Sequence, residues 1–151
     1  MSSVIAVVDY GMGNLRSVSK ALEHVVLDNQ RVIISSDAQE IADAERVVFP
    51  GQGAARACMQ HLQELNLNEV VLQAAREKPF LGICMGMQVL MAHSKENQGI
   101  DCMNLYAGEV RAFADAALKS QMQSLKIPHM GWSMVSQKQA HPLWQDIQEN
   151  S

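Results

Sequence analysis

Four short runs of apolar residues, none with polar alternation, constrain the fold more than any other feature of this 151-residue chain. The runs cover residues 4–8, 32–34, 47–49 and 80–83. Continuous runs of this length are typical of strands that are buried on both faces of a parallel sheet. Between the first two runs, Leu15, Val18 and Leu22 follow helical spacing. We therefore predict an α/β fold with an open, mostly parallel sheet, helices on both faces and a single domain over residues 1–151.

The composition excludes several classes of protein. With 48% hydrophobic and 19% charged residues, the chain is neither disordered nor of low complexity. Its net charge of −4 argues against a nucleic-acid partner. The sequence shows no signal peptide and no apolar run near the ~20 residues that span a bilayer. The three cysteines have neither the spacing of metal ligands nor that of a disulfide framework. From these observations together we predict a cytoplasmic protein with no membrane partner, no metal and no cofactor.

The segment Gly82-Ile-Cys84-Met-Gly86 indicates a nucleophile at a tight turn from strand to helix. Glycines on both sides of the cysteine avoid clashes in such a turn, which lifts the thiol to the edge of the sheet. The positive end of the following helix would favour the reactive thiolate. The N–H of Met85 would then stabilise an oxyanion on the substrate. A buried cysteine between two structural glycines is the alternative interpretation.

The loop after the third strand, residues 49–54, carries a second candidate oxyanion donor. Gly51 and Gly53 flank Gln52, so the backbone there has the freedom to turn an N–H toward substrate. An ordinary Pro-Gly turn is the simpler interpretation of this loop taken alone. Its place one strand before Cys84 favours the partner half of an oxyanion hole.

The loop after the first strand contains Gly11 and Gly13 and suggests dinucleotide binding. The third glycine of that motif falls on Arg16, where close packing of helix and strand tolerates no side chain. The pattern is therefore weak support for a nucleotide site.

A cysteine nucleophile needs a base, and the candidates are the five histidines at positions 24, 61, 93, 129 and 141. His24 and His61 lie in helical stretches and are expected at the surface. His93 is expected to end the helix that follows Cys84, where its charge would complement the helix dipole. No histidine is a convincing base from its sequence context.

Four motifs in order resemble the class I glutamine amidotransferases and, among them, the glutaminase subunits of imidazole glycerol phosphate synthases. The motifs span residues 8–18, 49–53, 82–88 and 128–132, and the resemblance extends from Ile5 to about Ile147. It implies a flavodoxin-like sheet on which Cys84 attacks the side-chain amide of glutamine. Ammonia would leave, and water would hydrolyse the resulting glutamyl thioester.

The resemblance also assigns roles around Cys84 and at a partner surface. Gln88, Met85 and Gly53 would hold the glutamine, and the Gly51–Gln52 peptide would complete the oxyanion hole. Ammonia would pass to a cyclase subunit with a (βα)8 barrel, which makes imidazole glycerol phosphate and aminoimidazole carboxamide ribotide. The residues implied to face that subunit are Asn14, Pro128, His129, Met130 and Trp132.

The chain departs from the family at its C-terminal end. The family completes its catalytic triad with a His-Pro-Glu motif after a pair of strands. The resemblance places the segment that begins at His141 upstream of those strands, so the triad histidine and glutamate have no counterpart in these 151 residues. We therefore expect a C-terminally incomplete domain that lacks those strands and is nearly inactive as given. Two alternatives remain: a catalytically inactive binding module, and another cysteine hydrolase on the same sheet that recruits His129.

Overall fold

A four-stranded parallel sheet forms the centre of the larger of two units into which the chain divides. The computed structural model describes residues 3–112 and 131–149, and these two parts are treated separately. The strands are β1 (Ser3–Val8), β2 (Gln30–Ser35), β3 (Arg46–Gly51) and β4 (Phe80–Cys84). Their order is β2-β1-β3-β4. All four predicted strands are thus confirmed, each one to three residues longer than its apolar run.

Helices cover both faces of this sheet, as predicted. They are α1 (Leu15–Val25), α2 (Ala38–Asp43), α3 (Ala55–Glu64), α4 (Asn68–Glu77) and the single turn α5 (Met85–Gln88). On one face Ile5, Val7 and Val48 pack against α1. On the other face Val8 and Phe49 join the core formed with the remaining helices. Successive residues of a strand point to opposite faces, so an unbroken apolar run supplies both layers.

A second, three-stranded sheet follows α5. It contains β5 (Met91–Ser94), β6 (Ile100–Asp101) and β7 (Tyr106–Val110) in the order β6-β5-β7. β5 runs antiparallel to β6 and parallel to β7. The expectation that His93 ends the helix after Cys84 is therefore wrong. The helix stops at Gln88, because the following segment pairs with strands on both of its sides.

The smaller unit, described over residues 131–149, contains one 3-10 turn, Pro142–Trp144. His141 caps this turn, its Nδ1 accepting from the N–H of Leu143 at 3.1 Å. Across residues 3–112 and 131–149 no helix has both the length and the apolar character needed to cross a bilayer.

Asp37 begins α2, and its replacement gives a prediction about the stability of this fold. The carboxylate accepts from the N–H groups of Gln39 and Glu40 at 2.8 and 3.0 Å. We expect Asp37→Ala to lower the free energy of unfolding by about 1 kcal/mol, since both donors lose their partner. Asp37→Asn keeps a side-chain acceptor and serves as the control. Chemical denaturation should give Asp37→Asn a higher free energy of unfolding than Asp37→Ala. Equal free energies for these two variants would show that the side-chain cap contributes nothing.

Candidate active site

Cys84 lies at the junction of β4 and α5 with a strained backbone. Its φ of 55° and ψ of −115° place a side-chain-bearing residue where such residues are rare. The residue is exposed, whereas Met85 and Gly86 behind it are buried. Strain of this kind persists only where the surrounding structure enforces it. The strand–turn–helix predicted from Gly82-x-Cys84-x-Gly86 has therefore formed, and it presents the thiol rather than burying it.

Two glycines make this turn possible by letting backbones meet. A Cβ on Gly86 would overlap the carbonyl oxygen of Phe49 and lie 2.8 Å from that residue's carbonyl carbon. A Cβ on Gly82 would lie 2.9 Å from the Cα of Met87. Both obstacles are backbone atoms, which cannot move aside as a flexible side chain can. Because these two glycines have no side chain, α5 packs directly against the backbones of β3 and β4. This close packing fixes the position of Cys84.

The predicted oxyanion loop lies beside Cys84. Gly51, the last residue of β3, pairs in register with Cys84, the last residue of β4. The loop continues through Gln52, which is exposed, and Gly53, whose φ of +82° favours glycine. The sheet therefore brings the candidate nucleophile and the candidate oxyanion donors to the same end of two adjacent strands, where ligands bind in open α/β sheets.

The loop after β1 packs onto this oxyanion loop. A Cβ on Gly13 would lie 3.5 Å from the backbone nitrogen of Gly51 and 3.5 Å from atoms of Pro50. With φ of +106°, Gly13 also adopts a conformation that favours glycine. Gly13, the second glycine of the suggested dinucleotide motif, thus has a structural explanation in the contact between the two loops.

The helix after Cys84 is too short to supply the strong helix dipole that was predicted to favour the thiolate. Only four residues, Met85–Gln88, are helical, so few peptide dipoles add up behind the thiol. The first N–H groups of any helix, here from Met85 onward, have no partner inside it. Local N–H donors, rather than a long helix dipole, are the means by which this turn can stabilise negative charge.

A cavity of about 230 Å³ begins at Gln88, one helical turn after Cys84. Its wall includes Gln88, Lys95, Glu96, Val110 and Arg111. Glu96 also caps α3, accepting from the N–H of Ala55 at 2.8 Å. Glu96 is thus linked both to the end of the oxyanion loop and to the cavity. The sequence alone does not single out Glu96, because nothing in the surrounding Lys-Glu-Asn stretch indicates a contact with Ala55 or with the cavity.

The structure gives no base for Cys84 among the histidines it describes. Nδ1 of His61 lies 3.1 Å from the carbonyl oxygen of Tyr10, and Nδ1 of His93 lies 2.8 Å from Oδ1 of Asp101. His141 caps its own turn, and His24 is exposed in the last turn of α1. His129 lies outside the described residues. The prediction that none of the histidines is a convincing base is therefore unchanged for the described ones.

The residues predicted to face a partner are only partly described. Asn14 is exposed and caps α1, accepting from the N–H of Ser17 at 3.2 Å. Trp132, in the smaller unit, is fully exposed. Pro128, His129 and Met130 lie outside the described residues. Within residues 3–112 and 131–149, no group of three or more His, Cys, Asp or Glu side chains could hold a metal ion.

Comparison with known proteins identifies the family. Residues 6–151 match the family Glutamine amidotransferase class-I. The imidazole glycerol phosphate synthase subunit HisH of Hydrogenovibrio crunogenus is 53% identical over 98% of this chain and 68% of its own length. The corresponding subunit of Pseudomonas putida is 51% identical over 97% and 68%, and HisH 1 of Pseudomonas aeruginosa is 50% identical over 100% and 70%. The chain thus spans about two thirds of these relatives.

These matches agree with the four motifs that suggested the same family. They favour neither an inactive binding module nor an unrelated cysteine hydrolase. Most of the parallel sheet and the strained turn at Cys84 lie within the residues that match this family. The chain belongs to the class I glutamine amidotransferases and, within them, to the HisH subunits of imidazole glycerol phosphate synthase.

Proposed function

We propose that this protein hydrolyses glutamine with Cys84 as the nucleophile and supplies the ammonia to imidazole glycerol phosphate synthesis. The observation that carries the proposal is the strained, exposed Cys84 in register with Gly51. A strained backbone at a strand–helix turn is how α/β hydrolases expose a nucleophile. The relatives at about half sequence identity carry the name of that synthase subunit.

The reaction divides one difficult step into two. The Cys84 thiolate adds to the carbonyl carbon of the glutamine side-chain amide, and the electron pair of the C=O bond moves onto oxygen. Collapse of that oxyanion breaks the C–N bond, and the departing nitrogen takes up a proton to leave as ammonia. Water then attacks the glutamyl thioester, so that glutamate is released and the thiol is restored. This is nucleophilic catalysis through an acyl-enzyme.

The oxyanion hole would combine donors from two loops. The N–H of Met85 comes from the first turn of α5, where N–H groups lack helical partners. The Gly51–Gln52 peptide, at the end of β3, would supply the second N–H. Donors placed at the developing charge stabilise the transition state more than the substrate, and each such donor contributes about 10²–10³-fold to the rate.

The cavity beside Gln88 would hold the amino-acid end of glutamine. Free glutamine carries an ammonium and a carboxylate, and the cavity wall supplies both charges, from Glu96 and from Lys95 and Arg111. Glu96 is the group suited to the ammonium. Lys95 and Arg111 would attract the carboxylate, and both also pair with Glu109, at 3.7 and 2.7 Å. Gln88 can donate and accept with its own amide. The chemistry of the wall therefore fits a zwitterionic amino acid.

The partner would be a cyclase subunit with a (βα)8 barrel, and the two subunits would form a cytoplasmic heterodimer with lyase activity at the cyclase site. Trp132 supports a docking surface in the smaller unit, because large exposed aromatics are typical of interface anchors. We also propose that Asn14 of the larger unit and residues 128–130 face the cyclase subunit.

Replacing Glu96 tests the substrate proposal. Glu96→Gln keeps an acceptor for the N–H of Ala55 but removes the charge, so we expect glutamine to bind about tenfold more weakly, the equivalent of one charge-assisted hydrogen bond. Binding can be read from the glutamine concentration that protects Cys84 against iodoacetamide. Glu77→Gln is the matched control, since Glu77 accepts from the side chain of Gln73 within α4. Equal protection in wild type and Glu96→Gln would contradict the assigned role.

The same assay tests the substrate class directly. Glutamine is expected to protect Cys84 at concentrations at which asparagine and glutamate do not, because only glutamine places an amide at the right distance from both charged ends. Protection by all three amino acids, or by none, would overturn the proposed function.

A further inference from the structure

Two buried side chains that the reaction does not use connect the core to the oxyanion loop. Tyr10 Oη donates to Sγ of Cys58 at 3.6 Å, and that sulfur donates to the carbonyl oxygen of Gln52 at 3.7 Å. Tyr10 and Cys58 are both fully buried. Burial raises the pKa of the Cys58 thiol, so at neutral pH it stays protonated and can donate. Burial likewise raises the pKa of Tyr10, which keeps its hydroxyl proton.

The contact with Cys58 determines how one peptide of the loop is oriented. In a trans peptide the C=O and the following N–H point in opposite directions. The carbonyl of Gln52 points at Cys58, so the N–H of Gly53 points away from it. Met12 lies close to the same peptide, since a Cβ on Gly53 would lie 3.0 Å from its Cε. The contact with Cys58 therefore holds the Gln52–Gly53 peptide in one orientation.

The end of the loop is held as well. Ala54 accepts from the N–H of Cys58 at 3.1 Å, and Ala55 donates to Glu96 at 2.8 Å. At the other end, Gly51 is paired with β4 and closely surrounded, because a Cβ there would lie 2.5 Å from Tyr10 Oη. Between these fixed points, the Gly51–Gln52 peptide is the junction at which the chain leaves the sheet.

We propose that Tyr10 and Cys58 are positioning residues that clamp the Gln52–Gly53 peptide with its carbonyl turned into the core. The clamp confines any reorientation of the loop to the Gly51–Gln52 peptide, and so places its N–H at the oxyanion. Without the hydrogen bond from Cys58, the Gly51–Gln52 and Gln52–Gly53 peptides can rotate together. The N–H of Gln52 then points at the oxyanion for a smaller fraction of the time. This inference rests on the proposed function, because it concerns an oxyanion formed at Cys84.

Two electrophiles separate placement of the oxyanion donor from reactivity of the thiol. A glutamine-derived chloromethyl ketone is attacked at its carbonyl carbon, giving a hemithioketal oxyanion before sulfur displaces chloride and forms a thioether. Iodoacetamide reacts by direct displacement of iodide and forms no oxyanion. The ratio of the chloroketone rate at saturating reagent to the iodoacetamide rate at Cys84, measured by peptide mass spectrometry on the full chain, separates placement of the oxyanion donor from thiol reactivity and from binding of the glutamine moiety.

The proposal predicts a specific pattern in this ratio. Cys58→Ala should lower the chloroketone rate about five- to tenfold, less than the loss of a whole donor, and leave the iodoacetamide rate unchanged. Cys58→Ser keeps a donor and should restore most of the ratio, and Tyr10→Phe should show a smaller loss than Cys58→Ala. Cys102→Ala is the matched control, since its sulfur makes a similar 3.7 Å contact to the carbonyl oxygen of Ile100 in the second sheet.

The outcomes distinguish the clamp from general packing. If Cys58→Ala changes both rates equally, or neither, the positioning role is wrong and Cys58 is only a core residue. The positioning role is also wrong if the ratio for Cys58→Ser falls as far as the ratio for Cys58→Ala. If wild-type Cys84 itself shows no preference for the chloroketone over iodoacetamide, the proposed function fails, and the clamp fails with it.

Discussion

Cys84→Ala is expected to abolish covalent capture of a glutamine-derived chloromethyl ketone and to abolish all glutamine-dependent product formation that the assembled synthase shows with the wild-type chain. Alanine removes the thiol at the β4–α5 turn, and the thioether sulfurs of the neighbouring methionines cannot form the glutamyl thioester. It also fits the turn, because it is smaller than cysteine and the backbone there already carries a Cβ.

The matched measurement is product formation with ammonium salt in place of glutamine. Because ammonia is the product of this subunit, supplying it directly should bypass the defect of Cys84→Ala in the assembled synthase. Cys102→Ala, at a half-buried thiol in the second sheet, should behave as wild type in both assays. A Cys84→Ala protein that still supports glutamine-dependent synthesis would exclude Cys84 as the nucleophile.

Gly86→Ala is expected to lower the free energy of unfolding by about 3 kcal/mol or more, since the added methyl meets backbone. The methyl would overlap the carbonyl oxygen of Phe49, in a strand that is itself held between β1 and β4. Relief requires α5 to move off the sheet, and Cys84 moves with it. We therefore expect the melting temperature to fall by about 6–12 °C and Cys84 to lose its preference for the chloroketone.

Gly131→Ala is the control for this prediction, because among the described residues no atom beyond its chain neighbours lies within 4 Å of a Cβ at that position. Thermal unfolding followed by circular dichroism measures the difference. A Gly86→Ala protein that unfolds at the wild-type temperature would mean that α5 is not wedged against β3.

The central sheet and its nucleophile could be predicted from the sequence because both leave local marks. A buried parallel strand is an unbroken apolar run, and β1 and β3 follow such runs closely. The strained turn at Cys84 requires small residues at fixed offsets, so Gly82 and Gly86 mark it within five residues. Asp37 likewise begins a helix by bonding to N–H groups only two and three residues away.

The remaining features depend on contacts between distant residues. His93 has the spacing of a helix end, yet its strand pairs with Asp101 and Glu109, and that pairing overrides local preference. Glu96 reaches Ala55 across 41 residues, and Tyr10 reaches Cys58 across 48. Such contacts leave no periodic pattern, so the sequence alone indicates an ordinary buried hydrophobe at Cys58 and gives Glu96 no role.

Site-resolved labelling by the glutamine-derived chloroketone tests the role of Cys84 most directly, because it asks which of the three cysteines meets the glutamine carbonyl. Peptide mass spectrometry over time, at increasing concentrations of free glutamine, gives the rate at Cys58, Cys84 and Cys102 separately. We predict that Cys84 is modified first and that glutamine slows this modification in proportion to its occupancy. Modification of Cys58 or Cys102 ahead of Cys84, or a Cys84 rate indifferent to glutamine, would contradict the assignment of Cys84 as the glutaminase nucleophile.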